Sequence, residues 1–390
     1  MISQLKSFKR GALLRVDRFR RSGLFHESPS NTDLDRHLVE AVEWLKRAQD
    51  SGADRGVSYG ADFGGPLLDS YPETTGYIIP TFLKLADYFK DPSLVYRAIE
   101  MGEWESEVQM DCGAVMGGRF NPHPTPAVFN TGMVLLGWAA LYQQSGKSTF
   151  LRSIQRAVDW LMSVQEANGN WSKANSQFAN ASTTVYNVKA AWGMCEAGRV
   201  AAIDRAIDGA VRNAEFCLAK QAPNGWFSDC CLSDAGQPLL HTIAYAVQGL
   251  IGIGSVTNRE DFIHAAKRTA DSLVRLMDKD GFIPGRIGPD FRGTVDWCCL
   301  TGTAQTAIAW GRLYQLTGDR AYRDAMHHAN LYLMRHHDID NDDLRLRGGV
   351  PGSWPVWADY GRLMILNWAT NFFAEALLLE KSITSGTEVQ

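Results

Sequence analysis

Residues 160–171 read Trp160-Leu161-Met162-Ser163-Val164-Gln165-Glu166-Ala167-Asn168-Gly169-Asn170-Trp171, and this string decides the fold because its frame recurs. A bulky ring followed five residues later by glutamine also occurs at Trp44/Gln49, Trp104/Gln109 and Phe216/Gln221, at steps of 60, 56 and 56 residues. One more period reaches Ser272 and Met277, degenerate but set among Ala270, Leu273 and Leu276; a sixth reaches Leu331. A repeat of this kind is a unit that cannot bury its apolar face alone and stacks on its neighbours.

Outward from that element, each unit follows one grammar. The helix that ends in Trp-x4-Gln is followed by a turn such as Gly169-Asn170-Trp171, Asn224-Gly225-Trp226 or Asp280-Gly281-Phe282. Glycine there stops a helix or supplies a positive φ. A loop leads into a second helix rich in small and apolar residues, expected over 72–89, 127–144, 183–197, 241–252, 298–316 and 360–379. Polar turns such as Lys90-Asp91-Pro92 and Ser145-Gly146-Lys147 open the next unit. First helices carry charge, as with Glu40, Glu43, Lys46 and Arg47, whereas second helices are mostly uncharged. The polar helices therefore belong outside and the apolar ones around an axis. The expectation is an all-α (α/α)6 toroid of six helical hairpins over 34–380, with a basic arm over 1–33 and a tail over 381–390.

The chain has 390 residues, 45% hydrophobic and 21% charged, with a formal net charge of -4. No global basic field points to nucleic acid. No uninterrupted apolar stretch of about 20 residues occurs, and the seven cysteines, an odd number, read as reduced thiols. The expected setting is cytoplasmic. Before Gly23, Lys6, Lys9, Arg10, Arg15, Arg18, Arg20 and Arg21 face a single acid, Asp17, beside an apolar stripe that includes Leu5, Phe8 and Val16. Residues 1–22 thus read either as an amphipathic helix on an anionic membrane, at its inner face, or as an arm packed on the toroid.

The Trp160, Gln165, Gly169, Trp171 string resembles the QW-type repeat of terpenoid cyclase and protein prenyltransferase toroids. Polysaccharide lyases, glycoside hydrolases and uronate epimerases use α/α barrels of similar grammar. The resemblance runs from Leu34 to Leu379 and implies a fold rather than a reaction. Val295-Asp296-Trp297-Cys298 is similar to the Val-Asp-x-Cys segment that supplies two zinc ligands in prenyltransferase β-subunits, which implies Asp296 and Cys298 as ligands. The third ligand of that family is a histidine; here Asp359 stands at the matching stretch, a chemically admissible replacement. Trp297-Cys298 also resembles the first half of the lanthionine-cyclase zinc site, without the later Cys-His. Asp340-Asn341-Asp342-Asp343 matches the terpenoid-cyclase Asp-x-Asp-Asp in letters, but its loop setting reads as a solvated turn or a weak calcium loop.

In a closed toroid the starts of the inner helices share one end. Glu73, Asn130, Thr184, His241, Cys298 and Asp359 fall near equivalent points of the repeat and should ring a funnel. Glu73, Asp69, Asp296 and Asp359 are the acid/base candidates, with His123, His241 and Tyr71 as alternative proton carriers. Substrate contacts are expected from Arg119, Arg286 and Arg347, from Asn130, Tyr186, Asn187 and Tyr360, and from Trp226, Trp297, Trp354 and Trp357. Aromatic faces cover the apolar faces of sugars, and guanidinium forks grip carboxylates. Each candidate has a structural alternative: Glu73, Asp69 and Asp359 as helix caps, His123 as a loop hydrogen bond, His241 as a satisfied core histidine. The leading expectation is a carbohydrate-active lyase, hydrolase or epimerase acting on an acidic glycan or a lipid-linked glycan precursor, with no cofactor. The alternatives are a zinc-dependent prenyl- or thiol-transfer enzyme using Asp296, Cys298 and Asp359, and a non-catalytic toroid that binds glycan or protein.

Overall fold

A computed structural model describes residues 31–386; the basic stretch 1–22 lies outside them. Among the described residues there are twelve α-helices. The outer ones are α1 (Asn31–Asp50), α3 (Pro92–Glu107), α5 (Ser148–Val164), α7 (Asp204–Ala219), α9 (Glu260–Leu276) and α11 (Arg320–Arg335). The inner ones are α2 (Pro72–Phe89), α4 (Val128–Ser145), α6 (Val188–Ala201), α8 (Leu240–Thr257), α10 (Leu300–Thr317) and α12 (Asn367–Ser385). Each inner helix packs on the next, and α12 returns to α2, so the ring is closed. The toroid expected from the repeat is what the chain forms. α8 is long and apolar enough to span a membrane, but 83% of it is buried inside the protein, as a core helix should be.

The tight hairpins run from an inner helix to the following outer one. Inner helices end on a left-handed residue, Lys90, Gly146, Ala202, Asn258 or Gly318, whose N–H returns to a carbonyl of the last turn. This single αL residue reverses the chain, and the outer helix begins two residues later. Asp91 and Asp319 then cap α3 and α11 through their carboxylates. Among the described residues no outer helix follows the sixth inner helix, and α1 packs there instead.

Two short antiparallel ladders knit the site end. β1 (Gly60–Asp62) pairs with β4 (Met364–Leu366), and β2 (Cys298–Cys299) pairs with β3 (Ser353–Trp354). The first crosses the seam between the first and last units, where Asn367 Nδ2 also donates to Ser58 O at 2.8 Å and Thr74 Oγ1 at 2.7 Å. These ladders shift two helix starts. α10 begins at Leu300 and α12 at Asn367, so Asp296 and Asp359 are loop residues rather than members of the inner-helix ring. In the third unit a 3₁₀ turn, Val185–Asn187, precedes α6. At the other end of the chain α12 runs to Ser385, into the stretch expected as a tail.

Candidate active site

Helix starts define the cavity, in the expected register at Glu73 and His241 and in a shifted one in the other units. The second residue of α2, α4, α8 and α12 is Glu73, Phe129, His241 and Trp368, and the second residue of the 3₁₀ turn before α6 is Tyr186. All five line one cavity of ≈ 220 Å³ at the axis, joined by Tyr59, Tyr71, Tyr245 and Tyr360. The corresponding residue of α10, Thr301, is buried and does not line it. Ser176 and Phe178 reach the cavity from the loop before α6, and Phe178 stays 47% exposed at its mouth.

Glu73 is the one carboxylate among the lining residues. Pro72 starts α2 with its fixed φ, which places Glu73 in the first turn, aimed at the axis. Burial drives its carboxyl from the usual range up to about 7, against the hydrogen bond from Tyr71 Oη to Oε2 at 2.6 Å, which pulls it down. The Tyr71 phenol is itself pushed well above its usual value, by burial first and then by the Glu73 charge. His241 is buried and pushed down to about 4 by desolvation, so its imidazole is neutral. With Nδ1 donating to Gln305 Oε1 at 2.7 Å, Nε2 keeps its lone pair.

Around these two groups the walls are rings. Tyr59 lies edge-on to Trp368 at 4.7 Å and 5.3 Å from Tyr71; His241 sits 4.4 Å from Tyr245 and 5.1 Å from Tyr360. Trp368 Nε1 donates to Tyr360 Oη at 2.9 Å, fixing both rings. Such a cage offers flat apolar faces with hydroxyls at their edges, and its low polarity strengthens any charge placed inside.

The sequence-predicted residues divide. Glu73, His241, Tyr71, Tyr186 and Tyr360 are brought together. Asp69, Asp296, Asp359 and His123 are not: all four are exposed, because their loops run over the rim. Asp69 meets Arg119 at 3.4 Å and Asp359 meets Arg286 at 2.6 Å. Asn187 Nδ2 donates to Thr184 Oγ1 and Asn175 Oδ1, which anchors the loop carrying Ser176. Asn130 donates to Met116 O. Trp226 donates to Ile287 O, Trp297 is buried against Gly285, and Trp354 stacks on His336 at 4.6 Å. Arg347 pairs with Glu40 of α1 at 3.2 Å, and Trp357 is 39% exposed outside the lining. Apart from Trp357, each of these side chains is held by a backbone carbonyl or a neighbour that the linear sequence does not announce.

Nor do the expected zinc ligands converge. Cys298 is buried in β2 with Sγ 3.2 Å from Thr303 Oγ1, and burial pushes its thiol up to about 12. Asp296 and Asp359 are exposed, and Arg286 occupies the latter. Among the described residues no three His, Cys, Asp or Glu side chains form a metal-holding group. In the Asp338–Asp343 stretch, Asp340 pairs with Arg36 and Asp343 with Arg345.

Fold and site together define an α/α toroid with an axial aromatic cavity. The family model of the squalene-hopene cyclase C-terminal domain matches residues 61–251. Among solved structures, an unsaturated glucuronyl hydrolase specific for heparin aligns with a TM-score of 0.73 at 15% identity, covering 91% of this chain and 99% of that one. The cellobiose 2-epimerase of Bacillus thermoamylovorans aligns with a TM-score of 0.73 at 12% identity, covering 90% and 98%. An unsaturated glucuronyl hydrolase from Bacillus sp. GL1, responsible for degradation of glycosaminoglycan, aligns with a TM-score of 0.69 at 15% identity, covering 91% and 97%. No curated protein matches by sequence. At these identities the likeness is one of fold.

Proposed function

We propose that this protein is a carbohydrate-active enzyme that moves a proton on an acidic sugar unit held in the axial cavity. The observation that carries the reading is Glu73, a carboxyl raised to about 7 inside an aromatic cage that also holds a neutral histidine. A group poised near neutral pH gives and takes protons with little driving-force penalty. His241 Nε2 is the complementary acceptor, and Tyr71 positions the Glu73 carboxyl. Hydrolysis by two opposed carboxylates would need a second acid about 5–9.5 Å away, and among the described residues no other Asp or Glu lines the cavity. A lyase or epimerase needs only one acid/base pair, so that chemistry fits better.

Acidic substrates are favoured by the rim. Arg119 and Arg286 stand there with exposed carboxylates as their partners, which a substrate carboxylate can replace. Enzymes of this fold named for glucuronyl and cellobiose substrates make such units the first to test. The experiment incubates the protein in D2O with uronate-terminated oligosaccharides and with cellobiose, and follows them by NMR and mass spectrometry. Cleavage, or exchange of a carbon-bound hydrogen for deuterium, that Glu73→Gln abolishes supports the proposal. Turnover that survives Glu73→Gln, or saturable glycan binding with no turnover, sinks it, and the second outcome marks a binding module.

A further inference from the structure

The toroid has a second axial cavity, of ≈ 460 Å³, at the opposite mouth, lined by all six inner helices. Tyr77 and Phe372, stacked at 5.1 Å, and Tyr245, edge-on to Phe372 at 6.1 Å, lie between the two chambers. Four cations line it, Lys84, Lys189, Arg199 and Arg312, against two carboxylates, Glu196 and Glu375. Glu196 is taken by Arg199 at 2.9 Å and by Trp192 Nε1 at 3.2 Å. Glu375 lies 3.5 Å from Lys84. Among the described residues no carboxylate stands at ion-pair distance from Lys189 or Arg312, which feel the Glu375 charge only at longer range: Lys189 Nζ donates to Gln248 Oε1 at 2.7 Å and lies 4.1 Å over the Trp192 ring, and Arg312 donates to Gln315.

Cations near helix C-termini often only offset the macrodipole. That accounts for Arg199, in the last turn of α6, but α2 and α10 have no basic residue in their last turns, and Lys189 is the second residue of α6. Lys189 is also just 4% exposed, where an unmatched ammonium is costly. Burial accordingly lowers its affinity for protons to about 7. Leu136, Ala139, Ile251, Ile308 and Phe372 form an apolar face of the wall, beside the polar Gln143, Gln248 and Ser255.

We infer that this second cavity binds an amphipathic organic anion, whose carboxylate or phosphate head sits between Lys189 and Arg312 and whose apolar body lies along Leu136, Ile251 and Ile308. The site is separate from the Glu73 cavity and independent of the reaction there. The head replaces the missing negative charge, and the body uses a wall that water solvates poorly.

Titration calorimetry on the full chain tests this with octanoate and octyl phosphate, alongside octanol as the uncharged tail and inorganic phosphate as the bare head. The expected result is saturable 1:1 binding of octanoate or octyl phosphate, at least 10-fold tighter than octanol or inorganic phosphate. The better of the two identifies the head group. Lys189→Met and Arg312→Gln each weaken it at least 10-fold, and Glu73→Gln leaves it unchanged. Should Lys189→Met fail to fold by circular dichroism, the more exposed Arg312→Gln decides. Equal binding of octanol, no saturable binding of either anion, unaltered binding in Arg312→Gln, or weakening by Glu73→Gln would each overturn the assignment.

Discussion

Glu73 concentrates the chemistry in a single buried carboxyl, and its displaced titration has a signed consequence for stability. Because its folded value, about 7, exceeds the unfolded one, the native state holds a proton that the unfolded chain releases between about pH 4.5 and 7. Stability therefore falls as pH rises through that window, and the cost is complete above it. Glu73→Gln removes it: the variant should match the parent at pH 4.5 and exceed it at pH 8 by up to ~3.5 kcal/mol, the displacement from 4.5 to about 7 taken at ~1.4 kcal/mol per pH unit. Melting curves at the two pH values check this. His241, depressed to about 4, has the opposite sense and costs stability as pH falls from about 6.5. Tyr71→Phe deletes the hydrogen bond that lowers the Glu73 value, so the activity limb near pH 7 should move alkaline by about one to two pH units, a hydrogen bond to a charge being worth ~1.5–3 kcal/mol. An unmoved limb would assign it to another group. Glu73 was legible because Pro72 announces a helix start two residues into which a side chain faces the axis. Trp368 escaped because its helix start is masked by β4, and Tyr245 because one more aromatic in an apolar helix carries no mark of its own.

At the scale of the element, the Trp-x4-Gln string is a clasp between successive outer helices. Gln165 Nε2 donates to Gly169 O and to Gly209 O of α7, and Gln165 Oε1 accepts from Arg212. Gln109 repeats this with Gly113 O, Ser153 O and Arg156. Arg97 serves Gln49 and Arg268 serves Gln221. The arginines follow their glutamines by 47 or 48 residues, a period open to inspection in the sequence yet hidden among the ordinary charges of exposed helix faces. The glycine is required twice over: Gly169 has φ +85, and a Cβ there would stand 2.4 Å from the Arg212 backbone. Gly146, at φ +65, has nothing within 4 Å. Gly146→Ala should thus cost only the left-handed penalty, ~1–2 kcal/mol, and Gly169→Ala distinctly more; equal costs in denaturant titrations would show that the clasp yields. Trp160→Ala, a deletion at the same junction, should cost ~3–5 kcal/mol.

The whole molecule closes by joining its two ends, and this was only half legible. Six units with one period announce a ring, but the tight pairing runs from inner to following outer helix, which the Trp-x4-Gln boundaries do not reveal. One consequence is that α1 completes the last hairpin instead of opening the first. Its Leu38, Ala41, Val42, Trp44 and Leu45 are almost wholly buried, and Trp44 Nε1 donates to Arg345 O at 2.8 Å across the seam. Each large apolar side chain so buried contributes ~1.5–3 kcal/mol, so together they rival the ~5–15 kcal/mol by which a typical protein is stable. Deleting residues 1–50 should therefore abolish the cooperative transition and bare the outer side of α12. Deleting residues 1–30 removes none of the seam contacts described and should leave the melting temperature within a few degrees. The same shorter deletion addresses the seven basic residues before Gly23: if they hold an anionic surface, flotation with phosphatidylserine vesicles is salt-sensitive in the full chain and lost on truncation. A melting temperature that collapses on removing 1–30 would mean that the basic stretch is part of the closure, and that its charges serve packing rather than a membrane.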